Sequence, residues 1–517
     1  MSWRVPVLVI GGGLLLRVVW IFTPAGVADA DEAVFGLMAL HILEGKDYPI
    51  YSWGAHYAGA MVSYLAALEY WAFGVGERVL KSATLPFVAS YLAVTYGLAR
   101  SMFDDRTALV ALLLAAVPPT VALDVSIKAT GGYPETLCFG GLVLLMTFRL
   151  PSAVSESGGR HRNLFLLGFT GGFGFYILPL ILPYLAVASL FLLRHRRDVL
   201  GHGGWAWIAV GGMLGVSPML IYNMQFHGAT IVRLGSRVLD VSKAEALDPG
   251  MTVSTVAGWI MRYAGHLPER LFTILQNIGP LLGFETAIGA VLAGSIVIGA
   301  MLALWHHGGQ DSRAGTGALW GRWCALLVPA MLLFALIAAL DRPRHLIPLY
   351  SVLPLGVAAL YARFRAARPR LAHVMLAALM AALAWDLAHS AVLSRLKPVE
   401  PLVRSAHQLG VRSLYADYEI AYRVMFASRE TILASPTAWT QAPGLIADRT
   451  PDITRQVDSL PSPAYVFFRE GPEAAWFAEG LARRHIAFVR QTIEPFELFT
   501  GLSAPVRSHE LPVSKAW

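Results

Sequence analysis

Long apolar runs separated by short polar segments fill the first three quarters of the chain. A helix that crosses a bilayer needs about 20 mainly apolar residues. Apolar runs close to that length occur at 4–22, 82–100, 106–123, 134–149, 163–176, 178–193, 204–222, 284–305, 323–340, 346–362 and 371–393. This pattern predicts a polytopic α-helical membrane protein with eleven transmembrane helices.

The first apolar run also has a feature of a secretory signal peptide, because Ala28-Asp29-Ala30 resembles a cleavage site. The run is long and includes Arg17, so we interpret it as a retained transmembrane helix. We expect Arg17 to extend its guanidinium toward the membrane surface, and a position facing a cavity is the alternative.

Two longer polar segments interrupt the pattern. We call residues 23–81 the first long loop and residues 223–283 the second long loop. Apolar residues recur at helical spacing over 32–43, 57–73 and 252–281. We therefore expect amphipathic helices in both loops, lying at the membrane interface.

The pattern changes near residue 394. Residues 394–517 contain 14 Lys and Arg, 13 Asp and Glu, and no long apolar run. Short β-like runs at 411–416, 431–434, 465–469 and 487–491 alternate with helical patterns at 418–426, 453–460 and 472–485. We predict a transmembrane domain over 1–393 and a soluble α/β domain over 394–517. The second has no glycine-rich phosphate loop or nucleophile elbow, so we assign it no chemistry.

Composition agrees with a membrane protein. The 517 residues are 56% hydrophobic and 15% charged, with a mean hydropathy of +0.55. Soluble proteins carry roughly 25% charged residues, which argues against a disordered chain or an ordinary cytosolic enzyme. The net charge of +7 comes as short clusters between apolar runs, as topology signals do, and not as one basic face for nucleic acid. Cys138 and Cys324 lie in apolar runs and predict neither a disulfide nor a metal site.

The placement of positive charge predicts an orientation. With the N-terminus in the cytoplasm, the short inside loops hold 15 Lys and Arg, whereas the outside loops other than 223–283 hold 6. Cytoplasmic loops of membrane proteins carry an excess of these residues. We therefore expect the cytoplasmic membrane, with the N-terminus inside and the C-terminal domain outside.

Three carboxylates, Asp29, Asp31 and Glu32, directly follow the first apolar run. A simple interpretation is a helix start, at which Asp31 caps the helix and Glu32 complements its dipole. A cap needs only one carboxylate. A second interpretation is that one of them deprotonates an acceptor hydroxyl or binds a metal.

The Asp31-Glu32 pair opens a pattern that continues through the first long loop with Gly36, Ala39, Gly45, Tyr51, Gly54, Tyr57 and Gly59. This pattern resembles the first outer loop of GT-C glycosyltransferases, in the branch of protein mannosyltransferases and aminoarabinose transferases. The resemblance implies a polyprenyl-phosphate-linked sugar as donor and Asp31 as the catalytic base. Where this branch often has Lys-Pro-Pro, the chain has His56-Tyr57-Ala58-Gly59, so acceptor or sugar binding would fall to His56 and Tyr57.

A second segment, Arg342-Pro343-Arg344-His345-Leu346-Ile347-Pro348-Leu349-Tyr350, is similar to the Arg-Tyr-x-x-Pro-Leu-Tyr segment of the same enzymes. The resemblance implies that Arg342 and Arg344 bind the donor phosphate and that His345 contacts the sugar or acceptor. Guanidinium groups match phosphate oxygens geometrically. The alternative is that both arginines anchor the segment at the membrane surface.

A third candidate segment is the short loop from Lys128 to Glu135. By resemblance Glu135 is a second catalytic acidic residue, Lys128 meets the donor phosphate and Tyr133 contacts sugar or acceptor. The alternative for Glu135 is a helix-start carboxylate favoured by the helix dipole.

These observations predict an inverting glycosyltransferase that acts among membrane lipids at the outer face. It would move a sugar from a polyprenyl-phosphate donor to a hydroxyl of a glycan, lipid or protein, without nucleic acid. No cofactor is required for this chemistry, and a divalent metal held by Asp29, Asp31 and Glu135 is an alternative. A transporter or lipid flippase would instead show charges near mid-span, broken helices and an internal repeat. A non-catalytic membrane scaffold is the remaining alternative.

Overall fold

The structure of the protein is a computed structural model. It describes residues 3–150, 157–200, 203–239, 253–284, 286–307, 314–338, 340, 342–393, 396–437, 448–507 and 510. The chain divides into two compact units. The first unit comprises residues 1–20, 57–59 and 84–392, and the second comprises residues 21–56, 60–83 and 393–517. Most of the first long loop thus shares a unit with the C-terminal region.

The first unit is helical, and each of the eleven predicted runs coincides with a helix or a pair of helices. The α-helices are Arg4–Ile21, Leu85–Met102, Asp105–Ala116, Thr120–Ser126, Tyr133–Phe148, Ser157–Ile177, Leu182–His195, Arg197–Leu200, Gly204–Gln225, Ala229–Leu239, Val253–Leu281, Ala287–Trp305, Ala314–Ala325, Leu327–Ile337, Leu353–Ala367 and Pro369–Ala391. Two 3₁₀ segments lie at Pro179–Ile181 and Pro343–Ser351. The prediction of a multi-span helical fold is confirmed.

Fewer of these helices are continuous spans than predicted. Among the described residues, six are long and apolar enough to cross a membrane: Arg4–Ile21, Glu77–Met102, Gly204–Gln225, Ala287–Trp305, Thr316–Ile337 and Pro369–Ala391. Two bent pairs raise this number to eight if each pair is one span, with bends of 80° after Asp105–Ala116 and 49° after Pro343–Ser351. Pro118-Pro119 precedes the second helix of one pair, and proline cannot donate the backbone hydrogen bond that continues a helix.

Arg17 is buried inside the first unit and does not extend to the membrane surface. Its guanidinium donates to the carbonyl oxygens of Gly13 (2.9 Å), Ala116 (2.8 Å) and Ala115 (3.3 Å) and to the hydroxyl of Ser126 (3.1 Å). The expectation that Arg17 extends toward the membrane surface is wrong, because its guanidinium finds hydrogen-bond acceptors inside the unit, including two carbonyls at the end of helix Asp105–Ala116.

The second unit combines helices of the first long loop with the C-terminal region. Its α-helices are Ala30–Leu43, Met61–Phe73, Glu77–Ser82, Glu400–Gln408, Tyr418–Ala427, Pro451–Ser459 and Glu473–Arg483, and a 3₁₀ turn lies at Pro24–Gly26. Helix Ala30–Leu43 is buried continuously from Glu32 to Leu40. It is therefore not the amphipathic surface helix that its sequence led us to expect.

The burial of helix Ala30–Leu43 has a tertiary cause. It packs against both Met61–Phe73 and Tyr418–Ala427. A Cβ at Gly36 would lie 2.7 Å from the ring of Phe426, so the small residue allows this close approach. Helix Met61–Phe73 keeps Leu68 and Trp71 exposed, and its place at a membrane surface stays a prediction.

The C-terminal region forms a five-stranded sheet with the order β2-β1-β3-β5-β4. The strands are β1 Ser413–Asp417, β2 Leu433–Thr437, β3 Ala464–Phe468, β4 Val489–Ile493 and β5 Phe496–Thr500. β2, β1 and β3 are parallel, whereas β3, β5 and β4 are antiparallel. The predicted small α/β fold is confirmed, with two additional elements, β5 and helix Glu400–Gln408.

Candidate functional site

Asp29 caps the helix Ala30–Leu43, not Asp31. Its carboxylate accepts the backbone N–H of Glu32 (3.0 Å), and the Glu32 carboxylate accepts the backbone N–H of Asp29 (3.2 Å). This reciprocal pair is a capping box, which satisfies two of the backbone donors that a helix start leaves open. The expectation that Asp31 is the cap is therefore wrong by two positions.

Glu32 has a second structural partner, Lys81. The Lys81 ammonium lies 2.6 and 2.9 Å from the two Glu32 oxygens. The side chains are only 6% and 3% exposed, respectively. A buried charge is costly unless it is paired, so this ion pair ties helix Ala30–Leu43 to helix Glu77–Ser82.

Asp31 takes no part in the capping box, and its side chain is 35% exposed. The phenol of Tyr418 donates to Asp31 Oδ1 (2.8 Å), and Arg449 Nη2 lies 3.6 Å from the same oxygen. Arg449 Nε also donates to the Tyr418 hydroxyl (3.2 Å). Asp31 is therefore a partly exposed carboxylate that is held by residues from outside the helix start.

Two further carboxylates fix the turn before this helix. Glu77 accepts the backbone N–H of Ala28 (3.3 Å), and Glu419 accepts that of Ala30 (3.4 Å). The guanidinium of Arg423, which is only 2% exposed, lies 4.0 Å from the other Glu419 oxygen. These contacts hold the backbone on both sides of Asp29 in place.

Glu135 starts a helix of the first unit in the same manner as Glu32. Its carboxylate accepts the backbone N–H of Gly132 (2.9 Å) at the start of helix Tyr133–Phe148, and the residue is fully buried. Gly132 has φ +146°, a backbone conformation that only glycine adopts easily. The geometry is that of a helix-start carboxylate, and a catalytic role for Glu135 stays a prediction.

Tyr133, Arg344 and His345 lie together in the first unit. The rings of Tyr133 and His345 stack with centroids 6.4 Å apart, and the Arg344 guanidinium carbon lies 6.0 Å from the Tyr133 centroid. All three are partly exposed. An aromatic ring beside a guanidinium suits a sugar that is linked to a phosphate.

The 3₁₀ segment Pro343–Ser351 positions Arg344 and His345. Two buried tyrosines anchor it: Tyr91 donates to the carbonyl of Tyr350 (2.9 Å), and the hydroxyl of Tyr184 lies 2.7 Å from that of Ser351. The segment therefore enters the protein core at its C-terminal end, while its N-terminal end stays accessible.

The remaining predicted site residues lie on loops. Arg342 is exposed and precedes the 3₁₀ segment, and Lys128 is partly exposed after helix Thr120–Ser126. His56, in the second unit, has φ +63°. Tyr57 is partly exposed and is assigned to the first unit.

The residues proposed for a divalent metal do not fit one. Asp29 is engaged in the capping box, Glu135 in its own helix start, and Asp31 with Tyr418 and Arg449. No cluster of three or more His, Cys, Asp or Glu side chains suited to a metal occurs in the part of the chain that the structure describes.

Sequence reasoning missed Lys81, Tyr418 and Arg449. Lys81 lies 49 residues from Glu32, and Tyr418 lies 387 residues from Asp31. No local pattern connects residues at such separations. The cap, in contrast, had a signal, because Asp29 and Glu32 have the spacing of a capping box.

Comparison with known proteins supports the resemblance found in the sequence. Residues 58–222 match the family model described as dolichyl-phosphate-mannose-protein mannosyltransferase. No curated protein sequence matches the chain. The predicted resemblance to this branch of GT-C glycosyltransferases is confirmed over that segment.

A solved structure shows the same fold at low sequence identity. The oligosaccharyltransferase of Archaeoglobus fulgidus, in a complex with Zn and sulfate, is 14% identical with a TM-score of 0.50, and the match covers 99% of this chain and 74% of that chain. The chain is also similar, at 13% identity and a TM-score of 0.48, to the archaeal oligosaccharyltransferase AglB from Archaeoglobus fulgidus in complex with an inhibitory peptide and a dolichol-phosphate, with coverages of 98% of this chain and 75% of that chain. ArnT from Cupriavidus metallidurans in the apo state is 13% identical with a TM-score of 0.45 and coverages of 96% and 97%.

Proposed function

We propose that the protein is an inverting membrane glycosyltransferase that moves a sugar from a polyprenyl-phosphate donor to a hydroxyl acceptor. The acceptor is a glycan, a lipid or a protein. The family model over residues 58–222 supports the donor class, because dolichyl-phosphate mannose is a polyprenyl-phosphate sugar. The geometry around Asp31 supports the reaction type.

Asp31 is the general base in this proposal. It takes the proton of the acceptor hydroxyl, whose oxygen then forms a bond to the anomeric carbon of the sugar. The bond from that carbon to the phosphate oxygen breaks on the opposite face, so the configuration inverts. The leaving group departs as a polyprenyl-phosphate anion, which needs little acid catalysis, so positioning and charge stabilisation contribute most.

The donor is matched by residues of the first unit. Arg342, Arg344 and Lys128 supply positive charge for the phosphate, and arginine forks pair well with its oxygens. Tyr133 and His345 present stacked rings to the sugar. His56 and Tyr57 remain candidates for acceptor or sugar binding.

We further propose that the protein lies in the cytoplasmic membrane with its N-terminus inside and residues 394–517 outside. The support is the excess of Lys and Arg in the predicted inside loops, 15 against 6. A reporter enzyme that works only outside the cytoplasm should be active when it is fused after Trp517. Activity of a cytoplasm-specific reporter at that position would contradict the orientation.

The observation that carries the function is that Asp31 is open and held, whereas Asp29 and Glu32 are occupied with the helix start. We expect Asp31→Asn to lower the rate of sugar transfer by about 10²–10⁴-fold, the usual contribution of general base catalysis. The assay uses the full-length protein, a panel of radiolabelled polyprenyl-phosphate sugars and extracted cell-envelope acceptors. Donor binding should change little, because Asn is nearly the same size.

Asp29→Asn is the matched control for this substitution. Asn and Asp rank alike as helix caps, so the Asp29 variant should fold and transfer sugar at close to the original rate. Transfer by Asp31→Asn at the original rate would remove Asp31 from the reaction. If Asp29→Asn lowered the transfer rate as much as Asp31→Asn does, the loss would come from a disturbed helix start and not from a missing base.

The transporter alternative predicted broken helices and buried charge, and the first unit contains both. Helix Asp105–Ala116 is followed by a bend of 80°, and Arg17 is buried. The Arg17 guanidinium is, however, occupied by three backbone carbonyls and a hydroxyl, which is typical of a structural group. The family match and the carboxylate geometry favour glycosyl transfer.

A further inference from the structure

We infer that Tyr418 and Arg449, both from the C-terminal region, are positioning residues that hold the Asp31 carboxylate for proton transfer. The inference rests on the proposed function, because it assumes that Asp31 is the base. It assigns the C-terminal region a part in the reaction, which its sequence gave no reason to expect.

The three side chains form a closed triangle. Tyr418 Oη lies 2.8 Å from Asp31 Oδ1, Arg449 Nη2 lies 3.6 Å from the same oxygen, and Arg449 Nε lies 3.2 Å from Tyr418 Oη. Both contacts to Asp31 therefore converge on one carboxylate oxygen. This arrangement fixes the rotation of the carboxylate, while its 35% exposure leaves it open to an acceptor hydroxyl.

Tyr418 is a reliable donor in this triangle. Burial, and after it the negative charge of Asp31, raises the pKa of Tyr418 well above its usual value, so the phenol stays protonated. Its ring contacts the ring of Tyr422 edge to face, with centroids 4.9 Å apart. Tyr418 is the first residue of helix Tyr418–Ala427, whose start is capped by Asp417 through the backbone N–H of Glu419 (2.9 Å).

Arg449 is held through its backbone. Its N–H donates to the hydroxyl of Tyr422 (2.7 Å), and the neighbouring Asp448 carboxylate accepts from the backbone N–H of Thr450 (2.9 Å) and the hydroxyl of Thr454 (2.8 Å). A residue whose backbone is fixed in this way can aim its side chain with little loss of entropy.

The first long loop is shaped to receive Arg449. Gly54 has φ +66°, and a Cβ at this position would lie 3.2 Å from the Cα of Arg449. Glycine therefore serves both the backbone conformation and the close approach of the two chain segments. The packing places the Arg449 loop on the same loop that carries Asp31.

The role of the pair is to orient Asp31, since Tyr418 and Arg449 both contact its Oδ1 atom. A base that is already oriented toward the acceptor hydroxyl speeds the reaction, because less rotational freedom is lost in reaching the transition state.

Tyr418→Phe tests this inference in the full-length protein. The substitution keeps the ring and removes one hydrogen bond to a charged group. We expect kcat for sugar transfer to fall about 10- to 100-fold, the rate equivalent of such a bond. KM for the polyprenyl-phosphate donor should stay within about 2-fold, since a positioning residue for the base does not bind the donor.

Tyr415→Phe is the matched control. Tyr415 also donates its phenol hydrogen to a carboxylate of the C-terminal region, that of Asp458. It lies in β1 and belongs to the aromatic core of that region. If Tyr418 acts only through the stability of the C-terminal region, both variants should lower kcat alike. Our inference requires a loss of kcat in Tyr418→Phe and an unchanged kcat in folded Tyr415→Phe.

A double-mutant cycle separates positioning from general stability. In the Asp31→Asn background, Tyr418→Phe should change kcat by less than about 2-fold, because the group that it positions is already inactive. An equal loss of kcat in the presence of Asp31 and in the Asp31→Asn background would overturn the inference. An unchanged kcat for Tyr418→Phe when Asp31 is present would also overturn it. Full activity of Asp31→Asn alone would instead overturn the proposed base, so the two failures can be told apart.

Discussion

Two helix starts of this protein use the same local device and differ in what they leave for chemistry. At Asp29–Glu32 and at Gly132–Glu135, a glutamate three positions after the cap residue accepts that residue's backbone N–H. Both glutamates are buried. The first start carries an additional carboxylate, Asp31, which is 35% exposed, whereas the second carries the ring of Tyr133 beside Arg344.

This comparison shows how to interpret several acidic residues at a helix start. The carboxylate that completes a capping box is already hydrogen-bonded to the backbone. A resemblance to a family does not change that contact. A carboxylate that is additional to the cap requires another explanation. For Asp31 that explanation is tertiary contact with Tyr418 and Arg449.

Glutamine in place of each of these two glutamates should separate the two helix starts most strongly. Gln can replace Glu in a capping box. Glu32→Gln nevertheless leaves Lys81 buried without its counter-charge, and breaking a buried pair in this way costs about 3–5 kcal/mol. We expect a clear drop in the unfolding midpoint of the purified protein for Glu32→Gln. Glu135 has no lysine partner in any described contact. We therefore expect Glu135→Gln to lower the free energy of unfolding by less than about 1 kcal/mol.

The double variant Glu32→Gln/Lys81→Met sharpens the result. Removing both charges should recover much of the lost stability, because an apolar replacement of a buried pair is often tolerated. If Glu32→Gln and Glu135→Gln proved equally stable, the ion pair with Lys81 would add nothing beyond the cap. The two starts would then be equivalent.

Substitution of Arg344, beside the second helix start, should have a smaller effect, on donor binding. We expect Arg344→Ala to raise KM for the polyprenyl-phosphate donor about 10- to 100-fold, as for loss of a hydrogen bond between charged groups. Arg344→Lys should raise it less, since the charge remains but the planar fork is lost. Arg370→Ala, at an exposed position after Pro369, serves as control. Unchanged KM in both Arg344 variants would leave membrane anchoring as the role of this arginine.

Local patterns predicted the helices well and their continuity less well. Apolar runs located the six candidate spans of the described residues, because burial in lipid or protein selects the same residues. They did not reveal the bend of 80° before Thr120–Ser126, although Pro118-Pro119 gave a signal. In the C-terminal region the sequence predicted β4, whereas it missed the neighbouring strand β5.

The sequence alone determined the helical membrane architecture, the small α/β fold of the C-terminal region and the resemblance to polyprenyl-phosphate-dependent transferases. These follow from hydropathy, periodicity and short motifs, all of which act between near neighbours in the chain. The tertiary structure decided which carboxylate is available. Glu32 forms an ion pair with Lys81, whereas Asp31 is held by Tyr418 and Arg449. Such contacts join residues up to several hundred positions apart, and only the folded chain brings them within hydrogen-bonding distance.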